Sequence, residues 1–388
     1  MMDDRARLYF DNAATSFPKP PEVYDALDRF ARENAGSAGR SAHEHAIAGA
    51  RLLFELRTEL AVLLGGEAEL VIFTKNATEA LNLALLGLLG AGATALHGAL
   101  EHNSVVRPLA HLAQARGVNL IEVAGDEQGR LTPDALDRAL NRGRADVVVT
   151  LHASNVHGLA QDLAALGDVC RKHDVPFVVD AAQSAGALPL DLRAMNIDAM
   201  CVTGHKALFG PTGTGALLLS PRLADRIPPL LFGGTGSVSG QETMPGFLPD
   251  RLEGGTQNAH GLAGLLAGVG QIAERTIEMI EAHERLLRER LLTGLRAIPG
   301  LRILGDAAGP ATSTVSFTGP LASSDIGHLL NERYGIAVRA GLHCAPNAHR
   351  ALGTMPGGAV RLSPGLFTPV DAVDEVLDAV GEIVKSPR

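Results

Sequence analysis

Cysteine is scarce in this chain. Its three cysteines, at 170, 201 and 344, cannot build an even disulfide framework, so a reducing, cytoplasmic setting is expected. Positive charge is not in excess either. Lys and Arg total 34 against 43 for Asp and Glu, and the net charge is −9 with no basic low-complexity run. That balance argues against a nucleic acid or an anionic membrane surface as partner. Long apolar runs are missing as well. Residues 81–89 are apolar but too short to span a bilayer, and Asn82 and Gly87 interrupt them. The opening Met1-Met-Asp-Asp-Arg5 has no apolar signal core, so secretion is not expected. No internal repeat is visible.

What is present is a globular composition. The 388 residues are 46% hydrophobic and 20% charged, enough for a sizeable core and about two domains. Residues 8–15 read as a short strand running into a turn, and Pro21-Glu22 opens a helix. Residues 34–41 form a Gly/Ser/Ala loop, and an amphipathic helix follows over 43–64 and stops at Gly65-Gly66. From there strand and helix patterns alternate. Strands are predicted over 71–74, 93–97, 118–123, 147–151, 177–180, 199–203 and 216–219. Helices are predicted from 76, over 104–116, from the Thr132 cap, and over 163–173. This alternation predicts an α/β fold, a mostly parallel sheet with helices on both faces.

Residues 231–253 are rich in Gly, Ser and Pro and read as a long loop, a feature that is usually functional or disordered. From Asn258 a helical period runs unusually far, as a linker between domains would. Shorter strands over 301–304, 314–317 and 335–339 alternate with helices near 323–333 and 370–384. The expected division is therefore a large domain over 21–258, with 1–20 and 259–388 forming a smaller α+β domain.

Two strand ends carry candidate chemistry. The run 175–180 ends on Asp180, and the run 199–203 leads to Lys206. Ligands of parallel sheets bind beyond the carboxyl ends of the strands. An acid facing a ring nitrogen, with a lysine able to form an imine, is what pyridoxal phosphate requires. Asn76-Ala-Thr-Glu-Ala80 opens a helix with small residues, and a helix start favours a phosphate. His102, just past a strand, is placed to stack on a ring. Cys170 and Cys201 fall in apolar elements and read as inert core thiols. Cys344 does not. Gly341 and Pro346 keep it on a turn, where a thiol can reach a ligand.

Taken together, these motifs resemble the class V aminotransferase-fold family, and within it the cysteine desulfurases and selenocysteine lyases, over nearly the whole chain. Tyr9-Phe-Asp-Asn-Ala-Ala-Thr15, Asn76–Ala80, Glu101-His102, His152-Ala-Ser-Asn-Val156, Asp180 with Gln183, Thr203-Gly-His-Lys206, Glu253–Asn258, Arg339–Pro346 and Val360–Ser363 follow in the family's order. The resemblance implies a fold-type I transferase that binds pyridoxal 5'-phosphate. It implies cofactor contacts from Ala77, Thr78, His102, Asp180, Gln183, Thr203, His205 and Lys206. Thr256 would complete the phosphate site of the partner in a homodimer. The substrate contacts it implies are Asn155, Arg361, Arg339 and His43, and the catalytic residues are Lys206, Cys344 and His102.

The implied reaction converts L-cysteine to L-alanine and leaves a persulfide on Cys344. Selenocysteine is a further candidate substrate. A protein would accept the sulfur, as in iron–sulfur cluster assembly. A thiolate at Cys344 would be helped by Arg339 or His343. The chain departs from the family at three places. His157 stands where a small or aliphatic residue is usual, Asn76-Ala77 replaces Gly-Thr, and the run from Cys344 to Arg361 is short, as in the subgroup with an ordered cysteine loop. His343, Cys344 and His349 lack the spacing of a structural zinc site, and no metal is expected. Two other readings stay open: an aminotransferase or epimerase of the same fold, and a pyridoxal-phosphate-binding regulator without turnover.

Overall fold

The computed structural model describes residues 4–34, 36–38 and 41–385. Seven strands form the larger sheet: β1 Val71–Thr74, β2 Thr94–His97, β3 Asn119–Glu122, β4 Val147–Leu151, β5 Phe177–Asp180, β6 Ala199–Thr203 and β7 Gly215–Leu219. They lie in the order β1-β7-β6-β5-β4-β2-β3. The pairs from β3 through β6 are parallel, and β7 runs antiparallel to both of its neighbours. The inner strands are apolar along their whole length because both faces are covered, and β4, β5, β6 and β7 are buried at every residue.

Local chemistry sets the helix starts. Pro21 occupies the first turn of Pro21–Glu33, Thr132 caps Pro133–Arg142, and Asn76 caps Ala77–Leu88 by accepting from the Glu79 N–H at 3.0 Å. The expected long loop at 231–253 contains neither helix nor strand.

The second sheet is antiparallel, with β8 Arg302–Leu304, β9 Val315–Thr318, β10 Arg339–Gly341 and β11 Ala359–Leu362 in the order β10-β11-β9-β8. Two expectations change here. The strand foreseen over 335–339 starts only at Arg339, because Ala337 pairs instead with Tyr9. β11 was foreseen only as a motif. The long helix from Asn258 is two helices, Ala259–Arg275 and Ile277–Arg296. They part at Thr276, which adopts a left-handed φ of 64° and caps the second helix through the Met279 N–H.

The hydrophobic cores follow the two sheets. Leu262, Leu265, Val269 and Ile272 join the core of the large sheet, although 259 was the expected start of the small domain. The cores divide along Ile277–Arg296: Ile280 belongs to the first, and Leu287, Leu291 and Leu295 to the second.

Residues 9–19 run between the two sheets as a strap. Tyr9 and Asp11 make isolated parallel bridges to Ala337 and Ser363, so the strand expected over 8–15 is realised as two bridges. Beyond them, the His205 carbonyl accepts from the Ser16 N–H at 2.9 Å, Thr15 Oγ1 at 3.0 Å, Ser16 Oγ at 3.3 Å and Lys19 Nζ at 3.4 Å.

Candidate active site

The carboxyl ends of β4, β5 and β6 open into a cleft of about 230 Å³. Its lining includes Ala77, Thr78, His102, Asn155, Asp180, Gln183, Thr203, His205, Lys206, Arg339 and Arg361. The structure thus brings together eleven of the residues singled out above. Cys344 stands just outside this lining, next in sequence to His343, which is part of it.

Asp180 ends β5 and holds the Ala182 N–H at 3.0 Å. Burial pushes its pKa up, while that N–H and Lys206 pull it down. Lys206 follows the end of β6 at the floor of the cleft. Desolvation is the main cause of its pKa falling to about 8, with Arg361 and Arg339 adding to the fall and Asp180 opposing it. The lowering thus comes from this chain's own residues. Gln183 is oriented by its bond from Nε2 to the Ala13 carbonyl at 3.0 Å.

His102 caps the helix Asn103–Arg116. Its Nδ1 accepts from the Ser104 N–H at 3.1 Å, which leaves the ring proton on Nε2. Ser104 Oγ bridges His102 Nδ1 at 2.9 Å and Thr78 Oγ1 at 2.7 Å, so Thr78 and the His102 ring share one partner. Burial, then the charges of Lys206 and Arg339, lower the His102 pKa to about 4. The ring is neutral at physiological pH.

Nothing in the local sequence pattern around Glu101 points to a role for it. It is fully buried, and its carboxyl accepts from Thr150 Oγ1 and the Leu151 N–H, both at 3.0 Å. Those bonds tether the turn that carries His102 to the end of β4.

The opposite wall comes from the small sheet. Arg361 in β11 is fully buried. Its Nη1 donates to the Asn155 carbonyl at 3.0 Å and its Nη2 to Asp11 Oδ1 at 2.6 Å. The Asn155 amide in turn donates to the His343 carbonyl at 2.6 Å.

His343 and Cys344 both have left-handed φ, 49° and 56°, which is rare outside glycine. The Cys344 carbonyl accepts from the Asn103 N–H at 2.8 Å, so the cysteine turn is tied to the His102 helix. Cys344 is exposed, and Arg339 Nη2 donates to its Sγ at 3.2 Å. Of the two groups expected to support a thiolate, Arg339 is in contact. His343 is buried, and burial and then Arg361 drive its pKa down to about 2, so it carries no charge to offer. Cys170 and Cys201 are buried. Burial pushes the Cys170 thiol up to about 12 and Cys201 well above its ordinary value, as inert core thiols require.

Three residues lie elsewhere. His43 is exposed and caps Glu44–Leu64 by accepting from the Ala46 N–H at 3.3 Å. It does not reach this cleft. Thr256 sits on an exposed loop outside it. His157 is space-filling and structural. It is fully buried, accepts from the Leu159 N–H at Nδ1, and therefore donates from Nε2 to the Gln128 carbonyl at 3.2 Å.

The polar groups left over indicate what the cleft would hold. Thr203 Oγ1, His205 Nδ1, Asn155 Oδ1 and Arg361 Nε are buried without partners. Unpaired buried polar atoms are costly, so such a cluster is built for a ligand. The first two line the same cleft as the start of the Ala77–Leu88 helix, a setting that suits a phosphate. On the Arg361 side, Arg361 Nε is a free donor, as a carboxylate requires, and Asn155 Oδ1 is a free acceptor, which suits an O–H or N–H of a ligand. The donor set therefore fits a pyridoxal phosphate and an amino acid beside it. Among the described residues, no group of three or more His, Cys, Asp or Glu could hold a metal ion. No described helix is long and apolar enough to cross a membrane.

Known proteins are similar to this chain over nearly its whole length. A probable cysteine desulfurase from Pyrococcus abyssi is 34% identical, covering 98% of this chain and 95% of the relative. A cysteine desulfurase from Haloferax volcanii is 30% identical, covering 97% and 89%. The apo structure of a cysteine desulfurase from Thermococcus onnurineus superposes with a TM-score of 0.90 at 31% identity, covering 97% of this chain and 94% of that one. An Escherichia coli cysteine desulfurase bearing an S-sulfonic acid gives 0.85 at 28%, covering 99% and 96%. Residues 8–376 match the family model for aminotransferase class-V. With a match of that extent, on a mostly parallel sheet whose strand ends present Asp180 and Lys206 to one cleft, the chain belongs to the aminotransferase class-V family.

Proposed function

We propose that this chain is a pyridoxal-phosphate-dependent cysteine desulfurase. The observation that carries the reading is the position of Cys344. Its Sγ is exposed, 3.2 Å from a guanidinium nitrogen, beside a cleft with Lys206 at its floor and Arg361 in its far wall. The relatives named as cysteine desulfurases support it.

Bound in this cleft, pyridoxal phosphate would supply an electron sink for the substrate's α-carbon. Thr78, Thr203, His205 and the helix start at Ala77 would hold the phosphate, Asp180 the ring nitrogen, Gln183 the ring hydroxyl and His102 the ring face. Arg361 would take the substrate carboxylate, and Asn155 would contact the substrate. Lys206, with its pKa lowered to about 8, would carry the protons at the α-carbon, since both its forms are accessible near neutrality. Cys344 Sγ would attack the substrate sulfur. The S–S bond forms as the Cβ–S bond breaks, and the proton lost from the Cys344 thiol is balanced by one gained at Cβ. The products are alanine and a persulfide on Cys344.

The same reading places the enzyme in a cytoplasmic setting as a homodimer. Thr256 would serve the partner's phosphate site, and a protein would accept the sulfur. Selenocysteine is a further candidate substrate.

The test is incubation of the holoenzyme with L-cysteine, followed by alanine and sulfide assays and intact-mass and peptide mass spectrometry. Stoichiometric alanine and one added sulfur on Cys344, with none on Cys170 or Cys201, are expected. Turnover of cysteine with Cys344 unmodified would move the chain to another reaction of the family.

A further inference from the structure

Arg361 poses a problem that the cleft alone does not answer. A fully buried guanidinium without a counter-charge is costly, and a long side chain held at one point can swing. Its wall of the cleft offers one carbonyl, that of Asn155. The counter-charge comes from behind the cleft. Asp11 does not line it, yet its carboxylate accepts from Arg361 Nη2 at 2.6 Å. Asp11 is itself fixed by backbone. The Asn12 N–H donates to the Ser363 carbonyl at 3.0 Å, and the Ser363 N–H donates to the Phe10 carbonyl at 2.8 Å. The Ala13 N–H donates to Ser363 Oγ at 3.1 Å. The segment carrying Asp11 is thus locked to the end of the strand that carries Arg361.

We propose that Asp11 is a positioning residue for substrate recognition. With the guanidinium pinned at Nη1 by Asn155 and at Nη2 by Asp11, its plane is set and unpartnered Nε is left to meet the ligand. A guanidinium fixed in this way meets a carboxylate from one direction, and so sets where the α-carbon lies over Lys206. This rests on the reading that Arg361 takes the substrate carboxylate. It separates two properties of Asp11, its charge and its acceptor oxygen. Positioning needs the oxygen. Asparagine keeps an acceptor at the same reach, and alanine does not.

The experiment compares wild-type, Asp11→Ala and Asp11→Asn holoenzymes. Cofactor absorbance and thermal unfolding are recorded first. The KM and kcat for L-cysteine are then measured, together with spectral titration by L-alanine, which binds through the same carboxylate without needing Cys344. Asp11→Ala should raise KM and the L-alanine Kd by about 10- to 100-fold, with kcat changed less than about threefold. Asp11→Asn should recover most of both. If Asp11→Ala does not fold, Asp11→Ser carries the same expectation, because its hydroxyl is too short to span the gap.

Unchanged KM and Kd in the alanine variant would overturn the proposal. So would tighter binding in both variants, which would make Asp11 a charge that competes with the ligand, and so would a loss confined to kcat. Failure of the wild type to release alanine from cysteine would sink the desulfurase reading alone. The L-alanine titration would still decide the role of Asp11.

Discussion

The wall of the cleft built by the parallel sheet carries two neutral imidazoles and one lysine that can exchange a proton near neutral pH, and the wall built by the antiparallel sheet carries two guanidiniums. On the first wall, burial holds His102 at about 4 and His205 at about 4, so both rings are neutral, and brings Lys206 down to about 8. On the second, Arg339 and Arg361 keep their charge even where they are buried. The difference assigns the labour. One wall would move a proton and the other would fix an anion, and the first depends on the second because Arg361 and Arg339 help to lower Lys206.

The largest effect should come from removing the proton carrier. Lys206→Ala should lower alanine formation from cysteine by about 10³-fold or more, and borohydride should no longer attach the pyridoxal group to the chain. A variant with more than a tenth of wild-type activity would show that the proton carrier lies elsewhere.

Arg361→Lys probes the other wall. A lysine keeps the charge but loses the fork, so KM for cysteine should rise by about 100-fold while cofactor absorbance is kept. An unchanged KM would hand the carboxylate to Arg339.

The coupling between the walls is read by pH. Only the free amine of Lys206 can take up the cofactor, so uptake by the apoprotein should rise with pH through about 8. Arg339 disfavours the ammonium form. Arg339→Gln should therefore move that rise to higher pH, by a fraction of a unit in salt. A profile that stays put would mean that the walls act independently.

The smallest effect concerns a carboxyl away from both guanidiniums. Glu284 is buried, accepts from the Ser313 N–H at 3.0 Å, and has its pKa raised to about 7 by burial. Its folded pKa lies above its unfolded one. Its contribution to stability is thus fully present below about 4.5 and is lost as pH rises through about 7. Relative to Glu284→Gln, the wild type should lose melting temperature between pH 5 and 8. Parallel melting curves for the two would remove Glu284 from the pH dependence.

The two walls were not equally legible in the sequence. Along the large sheet, apolar runs and caps are local signals, and Asp180 and Lys206 follow directly from where those runs end. On the small sheet the signals fail. Ala359-Val-Arg-Leu362 does not read as a strand because Arg361 interrupts the apolar run. In the fold, Val360 and Leu362 enter the core and Arg361 alternates to the cleft. Thr276, His343 and Cys344 take left-handed φ with no glycine to announce it. Asp11 was visible only as part of a motif, because its partner lies 350 residues away in sequence.

That separation has a consequence for how the protein is made. The strap is synthesised about 350 residues ahead of the strand end on which it docks. At roughly 5–20 residues per second, a ribosome leaves the strap waiting for roughly 20–70 s before Ser363 emerges. Through that interval the large sheet can fold as a unit and residues 15–19 can reach the His205 carbonyl, but Asp11 lacks the guanidinium and Asn12 the Ser363 carbonyl that they later meet. Contacts this distant are slow to form and come late. The cleft is thus completed only once β11 is in place, and a chain that stops short of β11 lacks the wall that carries Arg361.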